Sequence, residues 1–328
     1  MPDAPDASTP TAKKRRGVIR RREFEALAQA KREELRAQVA VTRAHIDATN
    51  EKIEARTGRN LPLAILFGLV LGVCMLLSLV LVKSLFMVVA AGLMIFTALE
   101  LASALRFSGR AIPRIPTVIT AVAVVPAAFY LQDAGKWLVF IASLAFVAAW
   151  RALEQLSPAR RTNAAELWRD LGAGTLIQAY VPFLGGFAVL LTAHPGGEWW
   201  TLAFLLLVIV TDTGAYASGL LFGKHPMAPR ISPKKTWEGF AGSALVALVG
   251  GAILAVFMLK QDVWVGLIFG ATILVTATVG DLTESLIKRD LGIKDISTWL
   301  PGHGGFLDRL DSVLPSAVAA YALYLIFA

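Results

Sequence analysis

The sequence has 328 residues, of which 56% are apolar and 17% are charged, and its formal net charge is +8. A soluble domain is about half apolar and about a quarter charged, so this composition excludes an ordinary soluble fold and predicts a chain that crosses a membrane several times. It also argues against a nucleic-acid partner, because most of the chain is too apolar to form such a surface. The single cysteine, Cys74, excludes a disulfide framework and a multi-cysteine zinc site.

The first 60 residues form a charged segment that differs from the rest. Residues 1–12 are rich in Pro, Ala and small polar residues, which predicts disorder, and residues 13–22 read KKRRGVIRRR. Residues 23–56 have a helical composition. The favoured interpretation of the basic run is a cytoplasmic topology signal, and binding to anionic lipid headgroups is the alternative. We therefore divide the chain into a basic cytoplasmic tail and a transmembrane domain, 61–328.

The transmembrane domain contains repeated apolar runs, most of them long enough to cross about 30 Å of hydrocarbon. These runs cover about 61–82, 84–105, 115–131, 137–150, 172–193, 198–222, 239–259, 263–280 and 313–328. With the N-terminus in the cytoplasm, only Lys83, Lys136 and Lys260 lie on the opposite side, as the positive-inside rule requires. The sequence thus predicts an all-α polytopic protein of the cell membrane, with about nine transmembrane helices and a polar site on the cytoplasmic side.

The last predicted cytoplasmic segment, 280–312, carries the densest set of chemically active side chains. If residues 281–290 continue the helix of the eighth span, five polar side chains share one face. These are Asp281, Glu284, Ser285, Lys288 and Arg289. Carboxylates of this kind can hold Mg²⁺ while the cations hold phosphate oxygens. For this stretch alone, ion pairs at a helix end are the simpler interpretation.

A glycine-rich turn and two further acids complete this segment. Gly302, Gly304 and Gly305 would let backbone N–H groups approach an anion, although a plain turn can have the same composition. Asp308 and Asp311 lie one turn apart if this stretch is helical. A carboxylate inside a membrane span costs free energy and usually has a function. For Asp308 the alternative is a salt bridge at the membrane edge.

A second polar group precedes this segment. Asp212 lies in an otherwise apolar span, where we expect it to face the interior of the bundle. The following loop, 222–239, is cationic and rich in hydroxyl groups, which suits a triphosphate; a positive-inside loop is an equally good interpretation. The side chains concerned are Lys224, Arg230, Ser232, Lys234, Lys235 and Thr236. Glu100 is either a structural partner of an arginine or a polar wall of the site, and the sequence leaves both open.

At residues 285–311 the chain resembles the signature of the phosphatidate cytidylyltransferases, also called CDP-diacylglycerol synthases. The matching stretch begins with SLIKR, continues with Lys294-Asp295 and ends with LPGHGGFLDRLD at 300–311. The motifs DTGAY at 212–216 and ISPKKTWEG at 231–239 also resemble that family. The resemblance covers about 61–328. It implies transfer of CMP from CTP to phosphatidic acid, which gives CDP-diacylglycerol and pyrophosphate, by a homodimer embedded in membrane lipids.

The resemblance also implies roles for particular residues. It places Mg²⁺ on Asp281 and Asp308, in a two-metal site where a monovalent cation such as K⁺ is a further candidate. Together with the polar groups described above, it gives a predicted catalytic set of Asp281, Lys288, Arg289, Asp308, Arg309 and Asp311. The predicted substrate-binding set is Asp212, Ser232, Lys234, Lys235, Thr236, Ser285, Lys294, His303, Gly304 and Gly305.

Two other functions remain open at this point. The first is a related membrane transferase that uses CTP on another lipid phosphate, since a sequence does not reveal lipid specificity. The second is a polytopic transporter, for which Asp212 and Glu100 would be intramembrane polar groups. Transport predicts polar side chains near the middle of the membrane, whereas here they gather at one face, which favours an enzyme at the membrane boundary.

Overall fold

The structure is a computed structural model that describes residues 61–297, 299 and 304–328. The tail predicted for residues 1–60 and the predicted site residue His303 lie outside the described residues. Within the described part, regular structure is almost entirely helical, which confirms the predicted all-α class. The exception is a two-stranded antiparallel hairpin in the loop that follows the Asp212 helix.

The helices and strands follow the apolar runs of the sequence. In chain order they are α1 (Leu61–Leu81), α2 (Lys83–Phe107), α3 (Arg114–Tyr130), α4 (Gln132–Glu154), α5 (Ala164–Gln178), α6 (Leu184–Ala193), α7 (Gly197–Phe222), β1 (Pro226–Ala228), β2 (Ser232–Thr236), α8 (Trp237–Leu254), α9 (Val263–Asp290), α10 (Leu307–Leu310) and α11 (Val313–Phe327). A π-helical turn, Ala179–Phe183, joins α5 to α6, and a second one, Ala255–Leu259, follows α8.

Seven helical stretches in the described part are long and apolar enough to cross a membrane. They are Lys83–Phe107, Gln132–Glu154, Ala164–Ala193, Gly197–Phe222, Trp237–Leu259, Val263–Asp290 and Leu307–Phe327. Two shorter apolar helices, Gly68–Leu81 and Arg114–Tyr130, accompany them. A multi-pass membrane protein is therefore confirmed, and the number of about nine spans stays a prediction. The two shortest apolar runs, 137–150 and 313–328, belong to longer helical stretches, Gln132–Glu154 and Leu307–Phe327, because polar residues extend them beyond the apolar core.

Close packing of α8 against α9 positions the polar end of the molecule. A Cβ atom on Gly251 of α8 would lie 2.9 Å from the Cα atom of Gly270 in α9, so only a glycine fits this contact. Small residues at such a crossing let two helix backbones approach each other closely within a membrane. Because a short turn joins α8 to α9 and the two helices run antiparallel, the hairpin before α8 lies beside the end of α9.

A buried ion pair joins the helix ends near the polar end of the bundle. The Arg151 guanidinium donates to Oδ2 of Asp170 through Nε at 3.0 Å and through Nη2 at 2.8 Å, and both side chains are almost fully buried. Nη2 also donates to Thr162, and the Ala111 backbone N–H donates to Oδ1 of Asp170 at 2.9 Å. The pair therefore ties α4, α5 and the loop after α2 together.

We predict that Asp170→Ala destabilises the protein by about 3–5 kcal/mol, because it leaves the Arg151 charge buried and uncompensated. The measurement is thermal unfolding of the purified protein in detergent. The double variant Arg151→Met/Asp170→Leu removes both charges and should lose clearly less stability than Asp170→Ala. If the double variant were as unstable as Asp170→Ala, the loss of stability would come from removing the ion pair itself and not from leaving the Arg151 charge without a partner.

Candidate active site at one end of the bundle

The last turns of α9 present polar side chains at the end of an apolar helix. The extension of this helix to Asp290 confirms the predicted face. Ser285 Oγ donates to Oδ1 of Asp281 at 3.5 Å, and Lys288 forms a salt bridge with Glu284 one turn earlier. Glu284 is buried although it carries a carboxylate. A buried carboxylate needs a cation or hydrogen-bond donors nearby, so this face holds its charges by pairing them.

The β1–β2 hairpin brings a second set of polar side chains against α9. Lys235 of β2 forms a salt bridge with Asp281, and Arg289 Nε donates to the backbone carbonyl of Ile231 at 3.2 Å. Two contacts, one at each end of the polar face, therefore hold the hairpin on α9. The strands form here although the sequence Ser-Pro-Lys-Lys-Thr is a poor strand former, since the contacts with α9 hold the extended backbone in place.

Asp308 at the start of α10 closes the site from the other side. Lys288 Nζ donates to Oδ1 of Asp308 at 3.0 Å, so one ammonium group lies between Asp308 and Glu284. The Gly305 backbone N–H donates to Oδ2 of the same aspartate at 2.7 Å. The predicted approach of a glycine N–H to an anion is therefore found, although the anion is a side chain of this protein.

Glu100 is the buried acid that fixes the glycine loop. Its side chain is 0% exposed; Oε2 accepts the Leu307 backbone N–H at 2.7 Å, and Oε1 accepts the Ser297 hydroxyl. A Cβ atom on Gly305 would lie 2.8 Å from Oε2 of Glu100. Gly304 has φ +81°, and its Cβ would lie 2.7 Å from Oδ2 of Asp308. Glu100 is thus an anchor for the loop, and no arginine pairs with it among the described residues.

Asp212 and Asp311 add two more acids to this end of the bundle. Asp311 is buried, and its Oδ1 accepts the Ser312 backbone N–H at 2.7 Å. Asp212 interacts electrostatically with Asp281, and Asp311 interacts with both of them. Together these groups form the acidic cluster, which consists of Asp212, Asp281, Glu284, Asp308 and Asp311. The Asp212 side chain forms a hydrogen bond with Ser312 and remains exposed, so the cluster is open on the α7 side.

The remaining predicted residues differ in their surroundings. Thr236 caps α8, since its hydroxyl oxygen accepts the Gly239 backbone N–H at 3.1 Å. Lys234 points away from its neighbour Lys235, as alternate residues of a strand do, and is exposed. Lys294 is exposed on the loop after α9, whereas Arg309 interacts electrostatically with Asp212. Ser232 starts β2 and is half-buried.

Sequence comparison shows which proteins this chain resembles. The profile of the family described as "Cytidylyltransferase family" matches residues 63–327. This chain belongs to the cytidylyltransferase family. It is similar to the phosphatidate cytidylyltransferase of Mycobacterium bovis, with 38% identity over 272 residues that cover 81% of this chain and 89% of that protein. The protein of the same name from Mycobacterium leprae is 38% identical over 276 residues, which cover 82% of this chain and 88% of that protein.

A relative from another bacterium matches a shorter stretch. The phosphatidate cytidylyltransferase of Pseudomonas aeruginosa is 42% identical over 160 residues, which cover 48% of this chain and 58% of that protein. The family match begins after the basic tail and includes the hairpin, α9 and the glycine loop. The acidic cluster therefore belongs to the part of the chain that is shared with cytidylyltransferases.

Sequence reasoning missed some residues of this candidate site. Glu284 was placed on the polar face of α9 but was given no role, although it shares Lys288 with Asp308. Tyr180 lies in an apolar run, where nothing in its neighbourhood indicates a function. Its side chain interacts electrostatically with Asp281, Glu284 and Asp311. Only the three-dimensional fold brings the side chain of Tyr180 near the acidic cluster.

We predict that Gly305→Ala displaces the glycine loop, because the added methyl group overlaps the Glu100 carboxylate. Overpacking of this kind costs about 1–3 kcal/mol. Thermal unfolding in detergent measures that loss, and transferase activity should fall about tenfold or more because Asp308 loses its Gly305 donor. The matched control is Gly92→Ala on α2, the helix that carries Glu100, where an added Cβ has nothing within 4 Å. Equal stability and activity in the two variants would contradict the role of Glu100.

Proposed function

We propose that this chain is a CTP:phosphatidate cytidylyltransferase, which makes CDP-diacylglycerol and pyrophosphate from CTP and phosphatidic acid. The observation that carries this proposal is the acidic cluster with its paired lysines at the end of an apolar bundle, within a stretch shared with cytidylyltransferases. A site at this position is accessible both to a lipid in the membrane and to a nucleotide in water. The names of the mycobacterial relatives support the same activity.

The reaction needs charge neutralisation more than it needs a base. An oxygen of the phosphatidate phosphate forms a bond to the α-phosphorus of CTP, and the bond from that phosphorus to the bridging oxygen breaks as pyrophosphate leaves. The nucleophile is already an anion, so no side chain has to remove a proton. Its approach to a second anion requires fixed positive charge around the phosphorus. We assign this role to Lys235, Lys288, Arg289, Lys294 and Arg309.

The donor atoms of the acidic cluster fit a magnesium ion. Carboxylate oxygens are the ligands that Mg²⁺ prefers, and Oε1 of the buried Glu284 has no hydrogen-bond partner among the described residues. Asp281 and Asp308 would hold the ion, with Asp212 and Asp311 beside them. When bound, Mg²⁺ supplies Lewis-acid polarisation of phosphate oxygens and neutralises the charge of the leaving pyrophosphate. We also propose two metal positions, and K⁺ is a candidate for one of them.

Lysines hold the carboxylates that we assign to metal. Lys235 pairs with Asp281, and Lys288 pairs with Asp308. In the parts of the chain that the structure describes, no three acidic, histidine or cysteine side chains already converge as a metal site. An ammonium group and a metal ion compete for the same carboxylate oxygens. We infer that the two lysines turn to phosphate oxygens when substrate and metal enter together.

We infer the membrane orientation from the charge distribution of the sequence. Loops at the end that carries the acidic cluster are rich in Lys and Arg, which the positive-inside rule places in the cytoplasm. CTP is available on that side, so we propose that the N-terminus and the site are cytoplasmic and that the protein lies in the cell membrane. We further propose a homodimer, which rests on the resemblance to the phosphatidate cytidylyltransferases.

The two alternative functions are less well supported. A transporter needs polar groups along a path through the membrane, whereas the acidic cluster here lies where α9 ends and α10 begins. A transferase acting on another lipid phosphate would use the same site, and only the acceptor would differ. Phosphatidic acid is favoured because it is the acceptor in the names of the relatives.

We predict that the purified protein forms CDP-diacylglycerol and pyrophosphate from CTP and phosphatidic acid, and only when Mg²⁺ is present. The measurement is lipid chromatography of the product with radiolabelled CTP. An isoprenoid phosphate in place of phosphatidic acid serves as the control acceptor and should give no product. Formation of a CDP-lipid only from the isoprenoid acceptor, or no product from either, would rule out the proposed activity.

The same assay tests the two aspartates assigned to metal. Asp281→Asn and Asp308→Asn should each lower kcat about 100-fold or more, because the loss of a metal ligand costs several kcal/mol of transition-state stabilisation. Both variants should remain folded in detergent. The matched control is Asp290→Asn, an exposed acid at the end of α9, which should keep full activity. Activity like that of the wild type in either metal variant would contradict the assignment.

A further inference from the structure

An irregular turn presents a tyrosine to the acidic cluster. The π-helical turn Ala179–Phe183 interrupts the long stretch from α5 to α6 and contains Pro182, which has no backbone N–H to donate. A π-helical turn inserts one extra residue, which changes the direction in which neighbouring side chains point, and such turns are frequent at functional sites. Tyr180 is the second residue of this turn, and its ring lies in the buried core.

The hydroxyl group of Tyr180 is buried without a hydrogen-bond partner. The residue is 8% exposed, and its oxygen has no partner among the described residues. Buried tyrosine hydroxyls usually find a donor or acceptor, because leaving one unsatisfied is costly. An unsatisfied hydroxyl in the core of a folded protein therefore needs an explanation.

The surroundings of this hydroxyl are acidic. Tyr180 interacts electrostatically with Asp311, Glu284 and Asp281, three of the five carboxylates in the acidic cluster. Glu284 is 1% exposed, and while its Oε2 pairs with Lys288, its Oε1 has no partner in the described part of the chain. Two unsatisfied buried oxygens therefore lie in the same acidic surroundings, one from the π-helical turn and one from α9.

We propose that Tyr180 is a positioning residue whose hydroxyl oxygen accepts a hydrogen bond from a water molecule of a cation bound in the acidic cluster. The proposal rests on the proposed function, because Mg²⁺ is the cation that the transferase would use. A water molecule fits this position better than a substrate phosphate, since three carboxylates repel an anion and attract a hydrated cation. This hydrogen bond fixes the orientation of that water and thereby supports the cation from the core side.

The test is Tyr180→Phe, which removes only the hydroxyl oxygen. Residues that act through a metal-bound group change metal affinity or activity by about 10–100-fold when they are altered. We therefore expect kcat to fall by about that factor, the Mg²⁺ concentration for half-maximal activity to rise, and KM for CTP to change little. Without Mg²⁺ the melting temperature should stay the same or rise, because an unsatisfied buried group has been removed.

A second readout does not need turnover. Mg²⁺ alone should raise the melting temperature of the wild-type protein and should raise that of Tyr180→Phe clearly less. This readout remains informative if the wild type transfers nothing to phosphatidic acid, an outcome that would reject the proposed function alone. The matched control is Tyr321→Phe, whose hydroxyl donates to Oδ2 of Asp133 at 2.6 Å. That variant should lose thermal stability and keep the kinetics and Mg²⁺ response of the wild type.

Three results would overturn the proposal. The first is a Tyr180→Phe variant with the kinetics and Mg²⁺ response of the wild type. The second is a variant with a strongly lowered melting temperature in the absence of Mg²⁺, which would make the hydroxyl a structural group. The third is a raised KM for CTP with an unchanged response to Mg²⁺ alone, which would show that the hydroxyl contacts a substrate phosphate oxygen.

Discussion

The structure depends on ion pairs between lysines and the carboxylates at the end of the apolar bundle. A charge removed from water is costly unless a counter-charge and hydrogen bonds compensate it. Lys235 reaches Asp281 from the hairpin, and Lys288 lies between Glu284 and Asp308. The lysines therefore stabilise the folded site, and in the proposed reaction the same cations would neutralise phosphate groups.

Much of the surrounding architecture keeps these pairs together. Close packing at Gly251 and Gly270 holds α8 beside α9, so that the hairpin reaches Asp281. On the other side of the site, the buried Glu100 accepts the Leu307 backbone N–H and so positions the start of α10, from which Asp308 extends. The acidic cluster is thus assembled from elements that are distant in sequence, and each element is fixed by a contact that leaves little space for a larger residue.

Sequence reasoning predicted the structure correctly where the residues concerned lie on a single helix. The polar face at 281–290 and the membrane class follow from helical spacing and apolar length, and the structure agrees with both. Glu100 could not be assigned, because its partners lie about 200 residues away and only the packing of α2 brings them close. Tyr180 was missed because its local sequence is apolar, and the π-helical turn that positions it has no clear sequence signal. The hairpin was missed because tertiary contacts, not strand propensity, hold it.

Magnesium binding to a Lys235→Gln variant in the absence of nucleotide tests the central claim most directly. If Lys235 occupies the Asp281 oxygens that a metal ion uses, its removal leaves that carboxylate more available. Mg²⁺ affinity, measured by calorimetry in detergent, should then rise several-fold above that of the wild type, while turnover with CTP and phosphatidic acid should fall. Unchanged or weaker Mg²⁺ binding in this variant would contradict the claim that ammonium groups and metal share these carboxylates.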